Sequence, residues 1–127
     1  MIVLVVDSSV HIIERLQHIL SETNKIKAVY GAVSFKDAAR FFKENKTDLV
    51  LLDGNLPGST SVDLLGEIKA VNENTIVIIL ANNVDSYAQE KYKLHGADFF
   101  FDKYHEFNKI PGVIDTIVSK KTLKSSQ

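Results

Sequence analysis

Four consecutive branched aliphatic residues, Leu49-Val50-Leu51-Leu52, run straight into Asp53, then Gly54 and the turn pair Pro57-Gly58. An unbroken apolar run this short fits a strand covered on both faces, as in a parallel sheet, better than a half-exposed one. It stops on a carboxylate, and an aspartate at the end of a buried strand is costly to ionise unless something pairs with it. The rest of the chain therefore has to cover two faces and bring a partner to Asp53.

Both requirements are met by what flanks the run. Apolar segments recur at Ile2–Val6, Ile26–Val33, Ile76–Leu80 and Phe99–Phe101, and each is followed by a stretch with helical spacing. The first helix starts at a cap in Ser8-Ser9 and carries Ile12, Ile13, Leu16, Ile19 and Leu20 on one face. Ser34-Phe35-Lys36-Asp37 reads as a capping box, with Ala38, Ala39, Phe41 and Phe42 inward. A third helix begins within Ser59–Ser61 and uses Val62, Leu64, Leu65, Ile68 and Val71. A fourth runs from about Val84 to Leu94 and stops at His95-Gly96, where glycine takes the left-handed conformation. The fifth begins at Pro111 or slightly earlier and uses Val113, Ile114, Ile117 and Val118. Strict alternation with short connections predicts a single α/β domain over residues 1–119, with a solvated tail at 120–127. Five strands and five helices of this size, joined by right-handed crossovers, suggest a flavodoxin-like, doubly wound parallel sheet of order 2-1-3-4-5.

Composition narrows the function classes. At 127 residues the chain can bury one core, and 45% hydrophobic with 24% charged residues is an ordinary globular balance. A net charge of −1 argues against a general nucleic-acid binder. Without cysteine there is neither a disulfide framework nor a thiolate zinc site, which is compatible with the cytoplasm. Ile2–Val6 is too short to cross a membrane and lacks the marks of a signal peptide.

Ligands of open α/β sheets sit beyond the carboxyl ends of the strands. Those ends carry Asp7-Ser8, Asp53, Ala81-Asn82 and Asp102-Lys103, so two acids and a lysine converge on one edge. Adjacent carboxylates resist double ionisation, and Mg²⁺ relieves that with oxygen ligands, water and phosphate. Lys103 supplies a compact positive charge for an anion. The set suits phosphoryl transfer to a carboxylate, although strand-end acids also cap helices and an Asp–Lys pair can be a plain ion pair. No phosphate-binding glycine motif follows the first strand, which disfavours a nucleotide or flavin binder. No general base with a nucleophile and oxyanion donors can be assembled, so a dedicated enzyme is not expected.

Leu4-Val5-Val6-Asp7, Leu51-Leu52-Asp53-Gly54-Asn55-Leu56-Pro57-Gly58, Gly96-Ala97-Asp98 and Lys103 together resemble the receiver domain of two-component response regulators, over roughly Met1 to Val118. The resemblance implies that Asp53 is the phospho-acceptor, served by a histidine kinase or phosphotransfer protein. It implies that Asp7, Asp53 and the backbone carbonyl of Asn55 hold Mg²⁺, that Lys103 contacts the phosphoryl group, and that Leu56-Pro57-Gly58 shapes the loop after the acceptor. Signalling is then expected through the surface of the fourth helix, fifth strand and fifth helix. The output goes to a downstream protein or an output domain absent here, with no direct contact to nucleic acid or membrane.

Four positions depart from the family pattern. Ser8 replaces the second acid of the metal pair, a weaker and neutral ligand, so weak Mg²⁺ binding is expected. Ala81 stands at the switch position that carries a hydroxyl in the family, with Asn82 a partial substitute. Phe100 holds the aromatic switch position but cannot donate a hydrogen bond. Tyr104 stands where proline usually follows the lysine. The alternative reading is a phosphorylation-independent pseudo-receiver kept as a protein-interaction module. His11, His18, His95 and His105 form no shared cluster and are expected at the surface or in caps. The aromatic residues Tyr87, Tyr92, Phe99, Phe100, Phe101, Tyr104 and Phe107 are expected mostly in the core, with part of them on a partner surface.

Overall fold

The computed structural model describes residues 1–23, 25–56, 60–82 and 85–125, with the side chains of residue 60 and of 120–125 left out of the description. Strand and helix alternate from β1 (Ile2–Val6) and α1 (Val10–Ser21) through β2 (Ala28–Ala32), α2 (Phe35–Glu44) and β3 (Leu49–Asp53). They continue through α3 (Thr60–Val71), β4 (Ile76–Ala81), α4 (Ser86–Leu94) and β5 (Phe99–Asp102) to a 3-10 turn at Phe107–Lys109 and α5 (Ile110–Ser125). The sheet is parallel throughout, in the order β2-β1-β3-β4-β5, as the alternation predicts. Winding reverses between β1 and β3, so the crevice for ligands opens at the carboxyl ends of those two strands.

Period-2 alternation sorts the core into two layers. Leu4, Val6, Val50, Leu52, Val77, Ile79 and Ala81 face α2, α3 and α4. Val3, Val5, Leu49, Leu51, Ile78 and Leu80 face α1 and α5, against Leu16, Leu20, Ile110 and Ile114. Every residue of β3 is buried, which explains its lack of polar alternation. Burying each such side chain contributes about 1.5–3 kcal/mol, so the central strands are the most firmly held part of the molecule.

The helix starts follow the caps. Ser9 Oγ accepts from the Ile12 amide, Ser34 Oγ from that of Asp37, and Asp85 Oδ1 from that of Ala88. The predicted start of the fourth helix, Val84, lies outside the described residues, as do Pro57, Gly58 and Ser59. Gly96 ends α4 with φ +104°, the left-handed conformation anticipated for it. Val71, expected inward, is 59% exposed because the last turn of α3 overhangs the groove between α2 and α3. The helical backbone of α5 runs past Val118 to Ser125. Among the described residues no peptide bond is cis, and no helix is long and apolar enough to cross a membrane.

Asp98 of the Gly96-Ala97-Asp98 segment has a structural role. Its Oδ2 accepts from the Val77 amide and from Lys69 Nζ, both at 2.8 Å, and Lys69 Nζ also donates to the Thr75 carbonyl. This clamps α3 and the start of β4 to the turn before β5. Asp98→Ala strips the Val77 N–H of its acceptor and is expected to lower stability by about 1–3 kcal/mol in a urea melt. Because the clamp lies at the end of the sheet away from Asp53, chemistry at Asp53 should be unchanged.

Candidate functional site

Asp7, Asp53 and Lys103 come together because their strand positions share a parity. Residues 3 and 5 of β1, 49 and 51 of β3 and 101 of β5 all face the α1/α5 layer, and positions 7, 53 and 103 continue those rows. The ladder also extends one residue beyond the strands and fixes the backbone there. Asp7 N donates to the Ala32 carbonyl, Gly54 N to that of Leu80, and Lys103 N to that of Ala81.

Lys103 Nζ lies 2.6 Å from Asp7 Oδ2 and 3.4 Å from Asp53 Oδ1, bridging the two carboxylates. All three residues are nearly buried, at 2% exposure for Asp7, 4% for Asp53 and 8% for Lys103. Asp7 Oδ1 also accepts from the Ser9 amide, and Asp53 Oδ1 from the Asn55 amide. Burial pushes the Asp53 carboxyl above its ordinary pKa and the Asp7 charge pushes the same way. The Asn55 amide and the Lys103 ammonium only partly offset them. Burial works against the Lys103 charge too, but the hydrogen bond to Asp7 and the charges of both carboxylates outweigh it and hold the ammonium above its usual range. Two carboxylates and one ammonium leave the site short of positive charge.

That deficit fits a Mg²⁺ ion. The donors at the site are oxygens only, and this ion binds through one or two carboxylates, leaving its other positions to water and phosphate. Among the described residues no three His, Cys, Asp or Glu side chains are clustered for a metal, so the protein offers few ligands. Ser8 is exposed beside the buried Asp7.

Ala81 and Phe100 lie in the opposite layer, facing α2, α3 and α4. Three side chains that the sequence reading did not assign to the site also organise it. Asn55 acts through its amide as well as its backbone: Oδ1 accepts from the Asn82 amide at 2.7 Å and Nδ2 donates to the Asn82 carbonyl at 3.0 Å. This staple ties the segments after β3 and β4, and it engages the backbone of Asn82, whose side chain had been the expected substitute. Ser61 Oγ donates to the Asp53 carbonyl at 2.6 Å, and the Tyr92 hydroxyl donates to the Gly54 carbonyl at 2.7 Å. Ser61 sits in the first turn of α3, eight residues after Asp53, a spacing that could have been noticed. A side-chain amide gripping a peptide 27 residues away leaves no sequence signal.

The histidines take surface and cap roles. His95 Nδ1 contacts the Lys91 carbonyl, while His18 and His105 neighbour Glu22 and Asp102. Asp102 closes the turn after β5; the amides of His105 and Tyr104 hold its carboxyl below the usual range. Tyr92 and Phe107 are core residues, whereas Tyr87 and Tyr104 are largely exposed and Phe99 partly so.

The family model described as response regulator receiver domain matches residues 3–115. Transcriptional regulatory protein MalR of Bacillus subtilis (strain 168) is 27% identical over 124 residues, covering 98% of this chain and 53% of that protein. The Fimbriae Z protein of Salmonella typhimurium is 26% identical over 104 residues, or 82% and 50% of the two chains. Among solved structures, the response regulator receiver domain protein from Clostridium thermocellum aligns with a TM-score of 0.83 at 26% identity, covering 96% of this chain and 97% of that one. The chain thus spans about half the length of the curated relatives it matches.

Proposed function

We infer, since the chain belongs to the response regulator receiver domain family, that Asp53 accepts a phosphoryl group in a two-component phosphorelay. The observation that carries this is the Lys103 ammonium placed between Asp7 and Asp53 at the carboxyl edge of the sheet. An Asp53 carboxylate oxygen attacks the phosphorus of a phosphohistidine on a kinase or phosphotransfer protein. The P–N bond breaks, its electron pair leaves with the imidazole, and an acyl phosphate remains on Asp53. Lys103 balances charge on the phosphoryl oxygens. Asp7, Asp53 and the Asn55 carbonyl, with Ser8 a poor fourth, would hold Mg²⁺, which supplies further neutralisation of the transferring group. The protein is a signalling module, acting in the cytoplasm on a downstream protein or through an output domain, with the α4–β5–α5 surface as its contact face.

Exposure of the folded chain to Mg²⁺ with acetyl phosphate or beryllofluoride is the direct test. An adduct by intact mass, with the largest NMR shifts at residues 53–55, is the expected result. Metal binding is weakened by Ser8, and Ser8→Asp should tighten Mg²⁺ affinity by about tenfold in a fluorescence or NMR titration. That is roughly 1.4 kcal/mol, well below the bare Coulomb attraction because position 8 is solvent-exposed. Unchanged affinity would overturn the weak-metal reading. Ser8 and Ala81 also favour a second reading, an interaction module that signals without phosphorylation. A wild-type chain that takes up neither reagent in saturating Mg²⁺ would select it.

A further inference from the structure

Helix α4 is polar along most of its length, and Tyr92 is its one buried residue. The polar tip of that residue does not end in the core. It donates to the carbonyl of Gly54, the residue next to Asp53, and its neighbour Ser61 holds the Asp53 carbonyl. We propose that Tyr92 is the positioning residue through which the state of Asp53 is transmitted to α4, by way of the Gly54 carbonyl that its phenol holds. This rests on the phospho-acceptor reading of Asp53 and specifies how that site is coupled to the surface.

Three features support the assignment. There is no slack around the peptide the phenol grips: a Cβ at Gly54 would lie 2.8 Å from the Ala81 Cβ, 2.8 Å from Ile79 and 3.4 Å from the Tyr92 oxygen. The Gly54 carbonyl that the phenol holds belongs to the 54–55 peptide, so a displacement of that peptide must push or release the phenol. The phenol also lies near the acceptor, its hydroxyl bonded to the residue next to Asp53. Its pKa is raised mainly by burial, with the Asp53 charge adding and a hydrogen bond from Ser61 opposing. Finally, α4 has little else to hold it, since Leu94 and Tyr87 are exposed. An element anchored by one side chain sits at the low end of local stability and is readily repositioned. The Tyr92 ring lies 6.1 Å from that of Phe100, so a moving phenol also meets β5.

The test is Tyr92→Phe, which keeps the ring and removes the hydroxyl. In the wild type, Mg²⁺ with beryllofluoride should shift the amides of residues 53–55 and those of α4 together. In the variant the first set should shift as before while the α4 set stays near its unliganded positions. Wild-type-like α4 shifts in Tyr92→Phe would overturn the proposal. Independently of how the variant folds, the wild-type Tyr92 Cζ resonance must move on adding the reagent, and a static resonance beside shifted 53–55 amides would also overturn it. Absence of any shift at 53–55 in the wild type is a different result. It removes the phospho-acceptor reading, and the coupling falls with its input.

Discussion

Asp53→Asn is expected to abolish uptake of acetyl phosphate and beryllofluoride completely while leaving the fold at least as stable as the wild type. The two effects separate because the carboxylate is chemically essential but electrostatically costly. Asparagine is near-isosteric, and its Oδ1 still accepts from the Asn55 amide, as Asp53 Oδ1 does at 2.9 Å. The substitution removes a buried negative charge that faces Asp7, and it leaves the short Asp7–Lys103 pair at 2.6 Å in place. Lost attraction to Lys103 across 3.4 Å opposes this gain. Because the carboxyl is held above its ordinary pKa, burial and Asp7 outweigh the ammonium. A neutral side chain should therefore be neutral to stabilising by up to about 1 kcal/mol at pH 7. Intact mass and a denaturant melt read the two arms separately. An adduct that persists in Asp53→Asn would place the acceptor elsewhere and end the proposed role of this residue.

The fold was legible because the chain is locally consistent. Ile2–Val6 is a strand with the same bounds in sequence and structure, and the Ser34 cap forms where its spacing places it. The site triad was legible for the same reason: once 7, 53 and 103 are assigned to strand ends, parity and topology bring them to one edge. What could not be read were contacts that depend on depth. In the sequence Tyr92 is one aromatic among several near β5. Only its burial on an otherwise polar helix, with its hydroxyl on Gly54, distinguishes it from the exposed Tyr87 five residues earlier. For Asn55 the resemblance implies a role only for the backbone carbonyl, and the Asn82 peptide reaches its side chain only through β3–β4 pairing. Val71 was placed inward by its helical spacing, which cannot show where the neighbouring helix ends.

Lys103→Met should produce the largest loss of stability of any single change at the site, about 3–5 kcal/mol at pH 7. Removing one partner of a buried ion pair leaves the other charge uncompensated, and here it leaves two carboxylates facing each other. Methionine preserves the length of the stem, so packing contributes little to the loss. The wild-type lysine has its pKa raised, so its contribution is fully present below 10.5 and disappears only as pH climbs through that raised value. The acid side distinguishes electrostatics from packing. Asp53 has a raised pKa in the folded state, so its protonation favours folding below the unfolded value of 3.8, and that benefit is lost as pH rises through the folded value. In Lys103→Met the ammonium no longer pulls this pKa down, so the folded value climbs further and the window widens upward. The gap between wild type and variant should therefore shrink steadily as pH falls from 7 toward about 4. Urea melts across that range measure it. A gap that stays constant would mean that the loss does not come from the charge of Lys103, and the charge-deficient site on which Mg²⁺ and phosphate binding depend would have to be abandoned.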